Sequence, residues 1–112
     1  MSDIAGSRSG PYRSPANVWL HVLDGAKSEH GIVVAAREYL ATWTPEELGR
    51  IPENCRPGKI SDGEDIGEFA FRLSNAHLDF RGPLEDRQLL ERLMSFFVHA
   101  ASRYATIGAK VP

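Results

Sequence analysis

The chain has 112 residues, of which 42% are hydrophobic and 25% charged, and its formal net charge is −2. This length predicts a core that needs no disulfide or metal staple, and the basic residues are too dilute to steer a polyanion. The N-terminus is polar and no apolar run could span a membrane, so we expect a cytoplasmic protein of bacterial type without a secretory leader. Residues 1–13 are rich in glycine and serine, which predicts a disordered tail before a single helical domain at 14–112.

The first element of the domain is predicted at residues 16–23. A helix is favoured because Asn17, His21 and Asp24 fall together on one arc of a helical wheel. A strand would divide these three polar residues between its two faces, although the pattern leaves that alternative open. Gly25 is expected to end the element.

A second helix is predicted to begin at Ser28 or Glu29. Its β-branched run at 32–34 would also suit a strand, but the apolar face continues with helical spacing to the end of the segment. That face consists of Ile32, Val33, Ala36, Tyr39, Leu40 and Trp43.

A short helical turn follows, with a capping box at its start. Thr44 is placed to accept from the amide of Glu47, whose carboxylate can reach back, and Pro45 suits the first helical position. Only a turn or two fits before Gly49 and Pro52.

Residues 49–60 are the longest irregular segment inside the predicted domain, and long internal loops are often functional. Their cations Arg50, Arg56 and Lys59 are candidates for an anion-binding loop. In the alternative interpretation, which we favour, Arg56 and Lys59 pair with acids at the start of the next helix and fasten the loop.

The single cysteine, Cys55, lies in this loop and excludes an intramolecular disulfide, as is typical of a reducing compartment. Its neighbour Arg56 would lower the thiol pKa. Nucleophilic catalysis also needs a base beside the sulfur, and no histidine is near in the sequence. We therefore favour an inert thiol.

A long helix is predicted at about 61–81, opened by a capping box between Ser61 and Glu64. Its acidic residues outnumber its one internal arginine, Arg72, which argues against nucleic acid on this helix. One stripe at helical spacing should face the core: Ile66, Phe69, Ala70, Leu73, His77 and Phe80. Within it, His77 is a candidate buried histidine that would resist charging.

A second, narrower row on the same helix is the candidate partner surface. It contains Gly67, Phe71, Ser74 and Leu78, and its apolar members lie about 120° or more from the core stripe. We expect this row to pack on the first or second helix of the same chain, or else to form an exposed patch that binds a partner.

The last helix is predicted at about 83–107, after the break at Arg81, Gly82 and Pro83. Its apolar residues cover about 200° of the wheel, so it should be central to the fold. These residues are Leu89, Leu90, Leu93, Met94, Phe96, Phe97, Ala100, Ala101, Tyr104 and Ile107.

The predicted fold class is all-α: a compact bundle of four main helices plus a short helical turn, ending in an antiparallel hairpin. No nucleotide loop, metal-ligand spacing or catalytic constellation is present, so we expect no cofactor and no metal, and enzymatic activity is not favoured. The sequence predicts a non-enzymatic interaction or regulatory module with an unknown protein partner or as a homo-oligomer, with no nucleic acid and no membrane. The alternative is a small ligand- or anion-binding protein, or an enzyme, that uses residues 49–60.

Overall fold

The computed structural model describes residues 16–109, so the predicted tail at 1–13 lies outside the described residues. Within this range the chain is all-α. Its helices are α1 (Ala16–Gly25), α2 (Glu29–Ala41), α3 (Pro45–Gly49), α4 (Gly63–Asp79) and α5 (Leu84–Ala109), with a 3₁₀ turn at Glu53–Cys55. Among these helices none has the length and apolarity needed to cross a membrane.

Two of the predicted helix starts are confirmed by their caps. The Ser28 hydroxyl accepts a hydrogen bond from the Gly31 amide at 3.0 Å and opens α2. The capping box of α3 is complete, because Thr44 accepts from the Glu47 amide and Glu47 accepts from the Thr44 amide. Both alternatives to helix, at 16–23 and at 32–34, are excluded.

The cap of α4 lies one residue beyond the prediction. Asp62, rather than Ser61, is the N-cap, and its carboxylate accepts from the amides of Glu64 and Asp65. The reciprocal acceptor is Asp65, which bonds the amides of Ser61 and Asp62. A carboxylate at this position also gains from the positive end of the helix dipole, which a serine hydroxyl does not.

The break between α4 and α5 is also shifted from the prediction. α4 ends at Asp79 rather than near 81, with Phe80 as its C-cap, and α5 begins at Leu84 and continues to Ala109 rather than 107. At Gly82 a Cβ would lie 2.6 Å from the tip of the Phe80 ring, so any larger residue there would require this ring to shift.

The central position predicted for the last helix is confirmed, since α5 packs against α1, α2 and α4. Phe96 stacks on Tyr39 of α2 at 4.0 Å, and the Phe97 ring meets Phe69 of α4 edge-on at 6.1 Å. Both Leu90 and Leu93 are fully buried. Within the described residues no charged side chain is buried, so hydrophobic burial supplies most of the driving force.

Polar residues of α5 fasten it to α1. Arg103 donates to the carbonyl oxygens of Leu23 at 3.3 Å and Ala26 at 3.1 Å, which satisfies the carbonyl end of α1. His99 contacts Asp24 at 2.7 Å. His99 and Arg103, one turn apart on α5, therefore hold this part of the helix against the end of α1.

Candidate functional site

The second row of α4 is exposed instead of packing on α1 or α2. Phe71 is 69% exposed and Leu78 is 76% exposed, among the highest values for large apolar side chains in the described part of the chain. Ser74 is half-buried and its hydroxyl donates back to the Ala70 carbonyl oxygen at 2.8 Å. We call Gly67, Phe71, Ser74 and Leu78 the outer α4 row.

Among residues 16–109 no neighbouring group requires a glycine at position 67. A Cβ built there would meet no atom within 4 Å, whereas a Cβ at Gly63, one turn earlier, would overlap the Tyr104 ring of α5. The close approach of α4 to α5 therefore accounts for glycine at position 63. Gly67 weakens the interior of a helix without any contact in the fold to account for it.

Charge is divided along α4. Its first half carries Glu64, Asp65 and Glu68, while its second half and the following turn carry Arg72 and Arg81 against Asp79. Arg72 pairs with Glu68 at 3.1 Å and lies over the Phe69 ring. The Gly67 end of the outer row is therefore flanked by acids, whereas the charges of Asp79 and Arg81 cancel at the Leu78 end.

The candidate anion loop is organised by contacts that the sequence did not indicate. Arg56 donates to the carbonyl oxygens of Ile51 at 3.0 Å and Gly49 at 3.1 Å, so it folds the loop on itself and does not reach the start of α4. Arg50 pairs with Asp86 of α5 at 2.6 Å. Lys59 is exposed and has no ion pair among the described residues.

A residue that sequence analysis missed closes the other end of the loop. Arg37 of α2 donates to the Ile60 carbonyl oxygen at 2.7 Å and to that of Ser61 at 3.4 Å. Ile51, Cys55 and Ile60 are buried beneath the loop. The Arg37 hydrogen bonds join residues more than twenty positions apart, so no local spacing in the sequence could have indicated them.

A cleft of about 510 Å³ lies between the loop and the C-terminal half of α4. Its cations are Arg72 and Arg81, rather than the loop cations that the sequence suggested. The lining residues are Pro52, Asn54, Cys55, Arg72, Asn75, Ala76, Asp79, Phe80 and Arg81. Two guanidinium groups beside two amides could bind a carboxylate or phosphate group.

Cys55 is buried, and its thiol donates to the Pro52 carbonyl oxygen at 3.3 Å. Burial raises the pKa of the Cys55 thiol above its ordinary value, although Arg56 lowers it to a smaller extent. The effect that the sequence suggested from Arg56 is thus present but is the weaker of the two. A protonated, buried thiol is a poor nucleophile, which supports the inert interpretation.

His77 is half-buried, so the prediction of a buried histidine in the core stripe is wrong. It lies in the last turn of α4, C-terminal to the fully buried positions Ile66 and Leu73. No group of three or more potential metal ligands occurs within residues 16–109.

Comparison with known protein families, with curated proteins and with solved structures finds no match to this chain.

Proposed function

We propose that this chain is a non-enzymatic, cytoplasmic protein-interaction module and that the outer α4 row is its binding surface. The observation that carries the proposal is the exposure of Phe71 and Leu78 on one side of a helix that packs on the core through another face, with Ile66, Phe69, Ala70 and Leu73. Exposed apolar side chains two turns apart on one helix face are typical of surfaces that bind a partner helix or groove. The unexplained glycine at 67 supports the same surface, because it permits close backbone approach.

The proposal is tested by replacing Phe71, and separately Leu78, with a photo-crosslinking phenylalanine analogue in the producing cell. Val22 on α1 is the matched control, because it is also apolar and is 41% exposed. We expect one adduct of defined mass from both α4 positions and none from Val22. Equal labelling at all three positions, or no adduct at positions 71 and 78, would overturn the proposal.

A second candidate function is suggested by the cleft between residues 52–55 and α4. Arg72 and Arg81 would bind the anionic group of a small carboxylate or phosphate ligand there. Thermal unfolding with and without citrate and inorganic phosphate tests this function, using Arg81→Ala with Arg87→Ala as the matched exposed control. A rise in melting temperature that only Arg81→Ala removes supports it, and identical melting in every sample contradicts it.

A further inference from the structure

The outer α4 row has the spacing of a coiled-coil seam. Gly67, Phe71, Ser74 and Leu78 are separated by four, three and four residues, which is the alternation of the a and d positions of a heptad. Small and large side chains alternate along it. Resting on the proposed function, we propose that the occupant of this row is α4 of a second copy of the chain, paired antiparallel about a two-fold axis.

Size complementarity sets the register of the pair. When the two-fold axis passes between residues 72 and 73, Phe71 lies opposite Ser74 of the second copy and Leu78 lies opposite Gly67 of the second copy. Each exposed apolar side chain then meets a small residue, and the open space at Gly67 is filled. A parallel pair would instead place Phe71 against Phe71 and leave a gap where two glycines face each other.

Charge favours the same orientation. The antiparallel register places the acidic first half of α4, with Glu64, Asp65 and Glu68, opposite the second half of the other copy's helix, which carries Arg72 and Asp79. In a parallel pair the acidic first half of α4 would face itself, at a cost in repulsion. The short seam makes a small interface, so we expect a weak and concentration-dependent dimer.

Cysteine crosslinking distinguishes the two orientations. Gly67→Cys and Leu78→Cys are made in a Cys55→Ala background, and both positions are exposed, so folding is retained and is checked by circular dichroism. In the antiparallel pair position 67 faces position 78. Two copies of the same position are eleven residues apart, about 16 Å along the helix, and a disulfide needs Cα atoms within about 7 Å.

We expect an oxidised equimolar mixture of the two variants to form a disulfide dimer, while each variant alone stays monomeric. Dimers from each variant alone would show a parallel pair and overturn the proposal. Absence of dimer in every sample would overturn it as well.

The photo-crosslinking experiment separates this inference from the proposed function. An adduct of twice the 12.4 kDa chain mass supports both. An adduct of any other mass retains the interaction surface but removes the second copy as its occupant.

Discussion

At the scale of single residues, the arginine side chains of the described residues donate hydrogen bonds to backbone carbonyl oxygens more often than they pair with acids. Arg37, Arg56 and Arg103 each donate to two carbonyl oxygens of distant or irregular segments. A guanidinium suits this role because its donors form a rigid fork. For Arg56 the sequence charge pattern predicted an ion pair with acids of the next helix, but in the fold this arginine donates to loop carbonyl oxygens.

Arg103→Ala should lower the free energy of unfolding by about 1–3 kcal/mol, because two carbonyl oxygens at the end of α1 lose a charged donor. Arg87→Ala, an exposed change on the same helix, should alter stability by less than about 0.5 kcal/mol. Urea unfolding of both variants checks this. Equal effects would mean that Arg103 contributes nothing specific.

The free energy of unfolding should depend on pH in the alkaline range because of Cys55. Because its pKa is raised in the folded state by burial, the unfolded chain loses the thiol proton first as the pH rises. The contribution of Cys55 to stability is therefore complete below the unfolded pKa of about 9 and is lost as the pH rises further. The difference in unfolding free energy between wild type and Cys55→Ala should change in that direction above about pH 9. A difference independent of pH would contradict a buried, protonated thiol.

At the scale of elements, local signals predicted the helices well where capping side chains act within four residues. The Thr44 and Glu47 pair is correct in detail, since the whole motif is contained in one turn. The start of α4 was misplaced because Ser61 and Asp62 are adjacent and either can cap; only the geometry shows that the Asp62 carboxylate accepts two amides.

The candidate sites were harder to predict, because their character depends on packing between distant segments. The cleft joins residues 52–55 to Arg72 and Arg81, which no spacing relates. His77 illustrates the same limit: helical periodicity placed it in the core stripe, but neighbouring elements do not cover it fully. For the outer α4 row the sequence predicts packing on the first or second helix as the main expectation and exposure as the alternative, and only the packing of α1 and α2 shows that Phe71 and Leu78 are exposed.

The two glycines of α4 give opposite predictions at this scale. Gly63→Ala should destabilise the fold by about 1–3 kcal/mol, because the new methyl group overlaps the Tyr104 ring. Gly67→Ala should stabilise the monomer by about 0.5–1 kcal/mol, since the site is open and alanine favours a helix. Thermal or urea unfolding of dilute protein measures both changes. Changes of the same sign would refute this distinction between the two positions.

At the scale of the whole molecule, the described helices place their apolar side chains around α5 and leave the outer α4 row outside that core. The core already takes its aromatic contacts from α2, α4 and α5. Phe71 and Leu78 lie mostly outside that core. Under the proposed function, their contribution comes from association between molecules. The central claim is therefore that this row serves intermolecular contact and not the stability of the chain.

Sedimentation velocity of wild type and Phe71→Glu, over concentrations from about 1 μM to about 1 mM, tests this claim most directly. We expect the wild-type sedimentation coefficient to rise with concentration, whereas Phe71→Glu stays monomeric and keeps the wild-type helical circular dichroism. An unfolded Phe71→Glu would place this side chain in the core and contradict the claim. Identical, concentration-independent sedimentation of the two proteins would contradict self-association through the outer α4 row.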